Sequence, residues 1–162
     1  MNTIVYLPSK GIKELKVDPD QRIGELIKLA SPATVGLPDD AEDQEVYVLD
    51  EPTELSKDQL LKDFHDRKAF VIHRCKKIAV TVIYPGKPPV TERYPPSVKV
   101  EHIRKAIIDE LKIDKATGEK LELFEKQDQN AKMNRNYPIG YFTEYPVCAL
   151  TIYLVDPNAF AG

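Results

Sequence analysis

Short apolar runs separated by turn residues open the chain. Residues 3–7 form the first run, closed by Pro8. After the turn Ser9-Lys10-Gly11, residues 12–17 carry Ile12, Leu15 and Val17 in imperfect alternation. Two strand-length runs joined by a short glycine-containing turn predict a β-hairpin. Asp18 is placed to accept hydrogen bonds from free helix amides, and Pro19, with no N–H to lose, suits a first helical position. Ile23, Leu26, Ile27 and Ala30 follow at i, i+3, i+4 and i+7, the spacing of one helix face, and Ser31-Pro32 ends it. Beyond an acidic loop at 37–44, the pattern predicts a strand at 45–49, a helical turn around 56–63 capped by Ser56, and a strand at 69–73.

The same order then starts again. Residues 78–84 are a β-branched run, Pro85-Gly86-Lys87-Pro88-Pro89 is its turn, and 90–94 pairs back. Ile103, Ala106, Ile107 and Leu111 mark one face of a helix over 101–112, followed by a strand at 120–124 and a polar loop at 125–136. A strand at 147–155 closes the unit, with Leu150, Ile152 and Leu154 turned inward and Thr151 and Tyr153 outward. Repetition of hairpin, helix and strands predicts two small domains in tandem. Their expected limits are 1–74 and 77–156, with a flexible tail at 157–162. Arg74-Cys75-Lys76-Lys77 is almost no linker, so the halves are expected at a restricted angle.

Composition narrows the function. The 162 residues are 42% hydrophobic and 30% charged with a net charge of -3, enough chain for two domains of about 80 residues. A mild negative charge of mixed sign gives no electrostatic reason to expect nucleic-acid or membrane-surface binding. Apolar runs are strand-sized and the first residues lack a basic leader and apolar core, so a cytoplasmic location is expected. Cys75 and Cys148 show no metal-type spacing and no disulfide framework. Cys148 reads as a structural thiol because no histidine follows it in sequence, and Cys75 as an incidental linker thiol. His65, His73 and His102 lack ligand spacing, and the acidic clusters lack the glycine of a calcium loop. With no glycine-rich phosphate loop either, neither metal nor cofactor is expected, and an enzyme is disfavoured.

At the level of motif, the first unit resembles the ubiquitin family. Val17-Asp18-Pro19-Asp20-Gln21-Arg22-Ile23 resembles the opening of that family's single helix, and Glu54-Leu55-Ser56-Lys57-Asp58 through Phe70-Val71-Ile72 resembles its Leu-Ser turn feeding the last strand. The second unit matches in element order and carries a longer segment, 133–146, in place of that turn. The resemblance implies an α+β chain of two ubiquitin-like β-grasp domains. It is similar to the two-domain modifiers of bacterial antiviral operons (BilA type) and to the interferon-induced two-domain modifier of vertebrates.

Such a resemblance implies a modifier held or attached to a target protein. The partners would be an E1-like activating enzyme that spends ATP, an E2-like conjugating enzyme and a deconjugating protease. Gly162 and Ala161 would form the conjugation tail, because a terminal residue without a Cβ lets a narrow channel close on the backbone and leaves the carbonyl open to a thiolate or amine. The family's double glycine and preceding arginines are absent. On the outward sheet face, where the family presents an apolar patch to partners, the candidates are Tyr153, Val155, Tyr84 and Tyr94. Tyr137, Tyr141, Phe142 and Tyr145 could cap a core, contact the first domain or form a recognition loop. Two other readings stand beside the modifier: a non-conjugated tandem adaptor, and a sulfur carrier, which the tandem form argues against.

Overall fold

The computed structural model describes residues 2–30, 43–64 and 69–160. Its first sheet is built from β1 (Asn2–Leu7), β2 (Gly11–Lys16), β3 (Glu45–Val48) and β4 (Ala69–His73), in the order β2-β1-β4-β3. β1 and β2 pair antiparallel from Asn2↔Lys16 to Leu7↔Gly11. β1 and β4 lie parallel at the centre, and parallel neighbours need a crossover, which here contains helix α1 (Glu25–Ala30). Strand periodicity sends Val5, Val46, Val48, Phe70 and Ile72 to one face, where they bury against Ile23, Leu26, Ile27, Ala30 and Leu61.

Two local expectations are corrected. Asp18 does not cap α1: its carboxylate accepts from the Asp20 amide (2.9 Å) in a turn that precedes the helix. The amides of Ile23 and Gly24 instead donate to the carbonyls of Gln59 and Lys57 at 2.8 and 3.0 Å, so the chain approaching α1 is held by the 57–60 segment. That pairing also keeps residues 57–60 from coiling, and the helical turn is confined to a 3-10 turn at Leu61–Phe64.

The second sheet repeats the plan with β5 (Ile78–Ile83), β6 (Val90–Tyr94), β7 (Glu122–Phe124) and β8 (Ala149–Val155), in the order β6-β5-β8-β7. β5 and β8 are the parallel central pair. Ile78, Val80, Val82, Leu123, Ile152 and Leu154 meet Val100, Ile103 and Ile107 of helix α2 (Val100–Glu110). A short helix α3 (Lys115–Gly118) follows, where the Asp114 carboxylate accepts from the Thr117 amide at 3.0 Å. Both units are β-grasp domains, and the chain is α+β.

Arg104 on α2 is 7% exposed, and its charge is met on every side. It makes a two-pronged contact with Glu101 at 3.0 Å and donates to the carbonyls of Gly118 and Leu121 at 3.0 and 3.2 Å. Hydrogen bonding to Arg104 holds the Glu101 carboxyl below its ordinary pKa, with Arg135 and Lys105 adding to the effect.

The cysteines also depart from expectation. Cys75 and Cys148 form a disulfide, with Cα atoms 5.7 Å apart and a sequence separation of 73. The parallel register Ala79↔Ala149 sets the starts of β5 and β8 side by side, so residues just ahead of both strands face each other. Sequence spacing alone gives no hint of this juxtaposition.

Candidate functional site: a covered sheet face and a folded tail

Each β-grasp sheet has a second face, turned away from its helix. In the first domain that face carries a cross-strand row, Ile12, Tyr6, Val71 and Tyr47, set by the pairings Tyr6↔Ile12, Tyr6↔Val71 and Tyr47↔Val71. Tyr6, Tyr47 and Val71 are 8%, 2% and 1% exposed. They are covered by Tyr137 and Tyr141 of the second domain. The Tyr6 and Tyr137 rings lie 5.3 Å apart, and Tyr137 meets Tyr141 edge-on at 4.9 Å, spacings at which aromatic quadrupoles attract. Burial, followed by the nearby Glu54 and Glu45, pushes the Tyr47 hydroxyl up to about 12. The aromatic segment of the second domain therefore contacts domain one, one of the three roles its sequence left open.

Polar contacts surround this apolar centre. Lys10 N–H donates to the Tyr141 carbonyl at 2.7 Å, Ser9 Oγ to Glu144 at 2.6 Å, and Lys10 Nζ pairs with Glu125 at 2.8 Å. Ser9 and Lys10 have φ of 58° and 64°, a left-handed conformation that non-glycine residues hold only when their surroundings fix it, and these bonds do so. At the other margin, Asp50 N–H donates to Ser97 O at 2.8 Å and the Asp50 carboxylate accepts from Lys99 N–H at 3.0 Å.

His73 is 1% exposed at one edge of the interface. Its Nδ1 accepts from Cys75 N–H (3.0 Å), which assigns the ring proton to Nε2, which donates to the carbonyls of Gly140 (3.0 Å) and Thr143 (3.1 Å). Burial holds the imidazole below its ordinary pKa, against those two carbonyls, which raise it. Gly140 fits because it lacks a Cβ, which would lie 2.8 Å from both His73 Cδ2 and the Pro96 carbonyl oxygen. Beside His73 a cleft of about 290 Å³ is lined by Leu7, Gln44, Arg74, Glu144 and Tyr145, with the Arg74 guanidinium 4.3 Å from the Tyr145 ring centre.

The second domain's outer face is differently disposed. Pairings Ile83↔Tyr153 and Phe124↔Tyr153 set the row Ile83, Tyr153, Phe124, with Val155 beside it. Tyr153 and Val155 are thus on the outer face and half-buried. Tyr84 and Tyr94 are not. Tyr94 pairs directly with Ile78, shares its helix-facing side, and packs with Tyr84 against the core. Burial, ahead of Glu92 and Glu110, raises the Tyr94 hydroxyl pKa.

Phe124 is 1% exposed although it lies outside the helix-side core. Its cover includes the chain leaving β8. Pro157–Phe160 form a 3-10 turn, Asp156 accepts from Asn158 N–H and from Ala159 N–H (both 2.9 Å), and the Phe160 ring stands 5.2 Å from Phe124. Residues 157–160 are folded, where a flexible tail was expected. Ala161 and Gly162 lie outside the described residues. Among the described residues, no group of three or more His, Cys, Asp and Glu is placed to hold a metal, and no helix is long and apolar enough to cross a membrane.

The sequence of residues 79–157 matches the family described as BilA ubiquitin-like domain 2. The second domain is thus similar to BilA-type ubiquitin-like domains. No curated protein matches the chain. Solved structures similar over 49% of it include two ubiquitin-like ones. A Caldiarchaeum subterraneum ubiquitin is 11% identical, with a TM-score of 0.39 and 92% of that chain covered. The N-terminal ubiquitin-like domain of the 4931431F19Rik protein is 15% identical, with a TM-score of 0.37 and 74% of that chain covered. The BilA-type match runs from β5 through the start of the tail turn, so it takes in Tyr153, Val155 and Phe124.

Two features of the site escaped sequence reasoning. His73 gave no signal, because its role depends on carbonyls 67 and 70 residues away in the chain. Phe160 did give one: it is a single large apolar residue in an otherwise small and polar tail.

Proposed function

We propose that this chain is a ubiquitin-like protein modifier, activated through its C-terminal segment and attached to target proteins. The observation that supports it most is the BilA-like second domain, whose last strand runs directly into the segment ending Ala161-Gly162. An E1-like enzyme would join the Gly162 carboxylate to the AMP moiety of ATP, releasing pyrophosphate. A cysteine thiolate would then displace AMP to give a thioester. After transfer to an E2-like enzyme, a target amine would attack the thioester carbonyl and expel the thiolate, forming an amide bond. A deconjugating protease would reverse the attachment by hydrolysis. On this reading the chain supplies no catalytic group, holds no cofactor and works in the cytoplasm, in bacterial antiphage defence.

The geometry supports a division of labour. The face of domain one that a ubiquitin-like protein would offer to partners is already occupied by Tyr137 and Tyr141. Enzyme contacts therefore fall to the outer face of domain two, around Tyr153 and Val155, which is also the nearer domain to the tail. Deleting Gly162 and co-expressing with the neighbouring activating and conjugating genes tests the proposal. The wild type should form covalent species on reducing, denaturing gels, and the deletion should abolish them. An adaptor reading draws on the folded turn at 157–160 and predicts a stable non-covalent partner indifferent to the deletion.

A further inference from the structure

The two domains repeat one feature beyond the fold. In domain one, the row Tyr6, Val71, Tyr47 crosses β1, β4 and β3; in domain two, the row Ile83, Tyr153, Phe124 crosses the corresponding strands β5, β8 and β7. The first row is covered by tyrosines from elsewhere in the chain. The second receives an aromatic ring too, that of Phe160, at its Phe124 end. Each outer sheet face is thus occupied in cis, but the two occupants differ in how they are held. Tyr137 and Tyr141 sit among backbone hydrogen bonds and an ion pair. Phe160 meets the Phe124 ring, and its turn is closed on Asp156, with no ion pair to the sheet among the described residues.

We propose that Phe160 is a releasable latch that keeps the C-terminal segment folded on the outer face of domain two until a partner takes that face. Binding of a partner's apolar group over Tyr153 and Phe124 competes with Phe160 for the same row, so docking and tail release are coupled and each favours the other. The latch itself is a property of the free chain. Its consequence for activation rests on the modifier reading given above.

The test uses the full chain without any enzyme. Backbone amide relaxation by NMR is compared for wild type, Phe160→Ala and Phe160→Leu, and carboxypeptidase trimming of each protein is compared with that of a free peptide of the same residues 156–162. Edge-on aromatic packing predicts that trimming past Phe160 is slowed about tenfold in the wild type relative to its peptide. Phe160→Ala should be trimmed at its own peptide's rate, with Asn158 and Ala159 gaining fast motion, and Phe160→Leu should fall between. Unchanged chemical shifts in β5 and α2 check that the variants stay folded, since Phe160 lies outside the core. Wild-type amides at 158–160 as mobile as those of Phe160→Ala, or no protection against trimming, would overturn the latch. Failure of Gly162 to form conjugates would instead count against the modifier reading and leave the latch standing.

Discussion

The disulfide makes the sharpest stability prediction. Cys75 lies just ahead of β5 and Cys148 just ahead of β8, so the closed loop contains every element of domain two except its last strand and the tail turn. Cross-linking a loop of this length removes chain entropy from the unfolded state worth about 4 kcal/mol in the loop-closure model. Reduction should therefore lower the stability of domain two by about that amount. A urea slope of about 1–2 kcal/mol/M, ordinary for so small a domain, turns this into a fall of roughly 2–4 M in the unfolding midpoint. The measurement is a pair of urea titrations, with and without a phosphine reductant, followed by tyrosine fluorescence because the chain has no tryptophan. Reduced wild type is the better comparison than Cys75→Ser/Cys148→Ser, since Cys75 is 2% exposed in the core and serine there adds a buried hydroxyl. Amide exchange should place the loss in β5 to β8 and spare β1 to β4. Equal midpoints with and without reductant would refute the reasoning.

Three further outcomes follow from named contacts. Gly140→Ala forces a methyl against His73 and the Pro96 backbone, and should weaken the domain contact by about 1–3 kcal/mol, read as increased amide exchange at Tyr6 and Val71. His73 is held neutral in the folded protein with its pKa below the unfolded value near 6.5. Its contribution is therefore complete above that pH and lost as pH falls through the folded value; proton-detected titration of His73 alongside thermal melts should show stability falling on the acid side. Arg104→Met leaves the carbonyls of Gly118 and Leu121 without their donor and Glu101 without its closest cation, so domain two should lose about 2–4 kcal/mol in thermal or urea unfolding.

Much of the fold is legible in the pattern of apolar positions. Strand β4 falls at 69–73 as read, and the alternation of Leu150, Ile152 and Leu154 places the inner face of β8 correctly. What the pattern does not carry is which face an edge strand's aromatics take. In β6, Val90 and Tyr94 share a side with Glu92, which is exposed, so the strand reads as having no inner face; only its register with Ile78 and Val82 turns Tyr94 toward α2. The site was legible in part for a related reason. Tyr153 and Val155 lie on the outer face because β8 is central and strictly alternating. The occupation of domain one's face by Tyr137 and Tyr141, the pairing of Cys75 with Cys148 and the seating of Phe160 on Phe124 all join residues distant in sequence. No local period encodes such contacts.

The claim that the chain is a covalent modifier meets its most direct test in mass spectrometry of tagged protein purified under denaturing conditions from cells carrying the neighbouring genes. Cleavage on the amino side of aspartate would leave residues 156–162 attached to the acceptor. A covalent modifier yields target peptides carrying that remnant through an amide bond from Gly162 to an amine. Recovery of the chain only in free form, with the activating enzyme shown to be active, would contradict that claim.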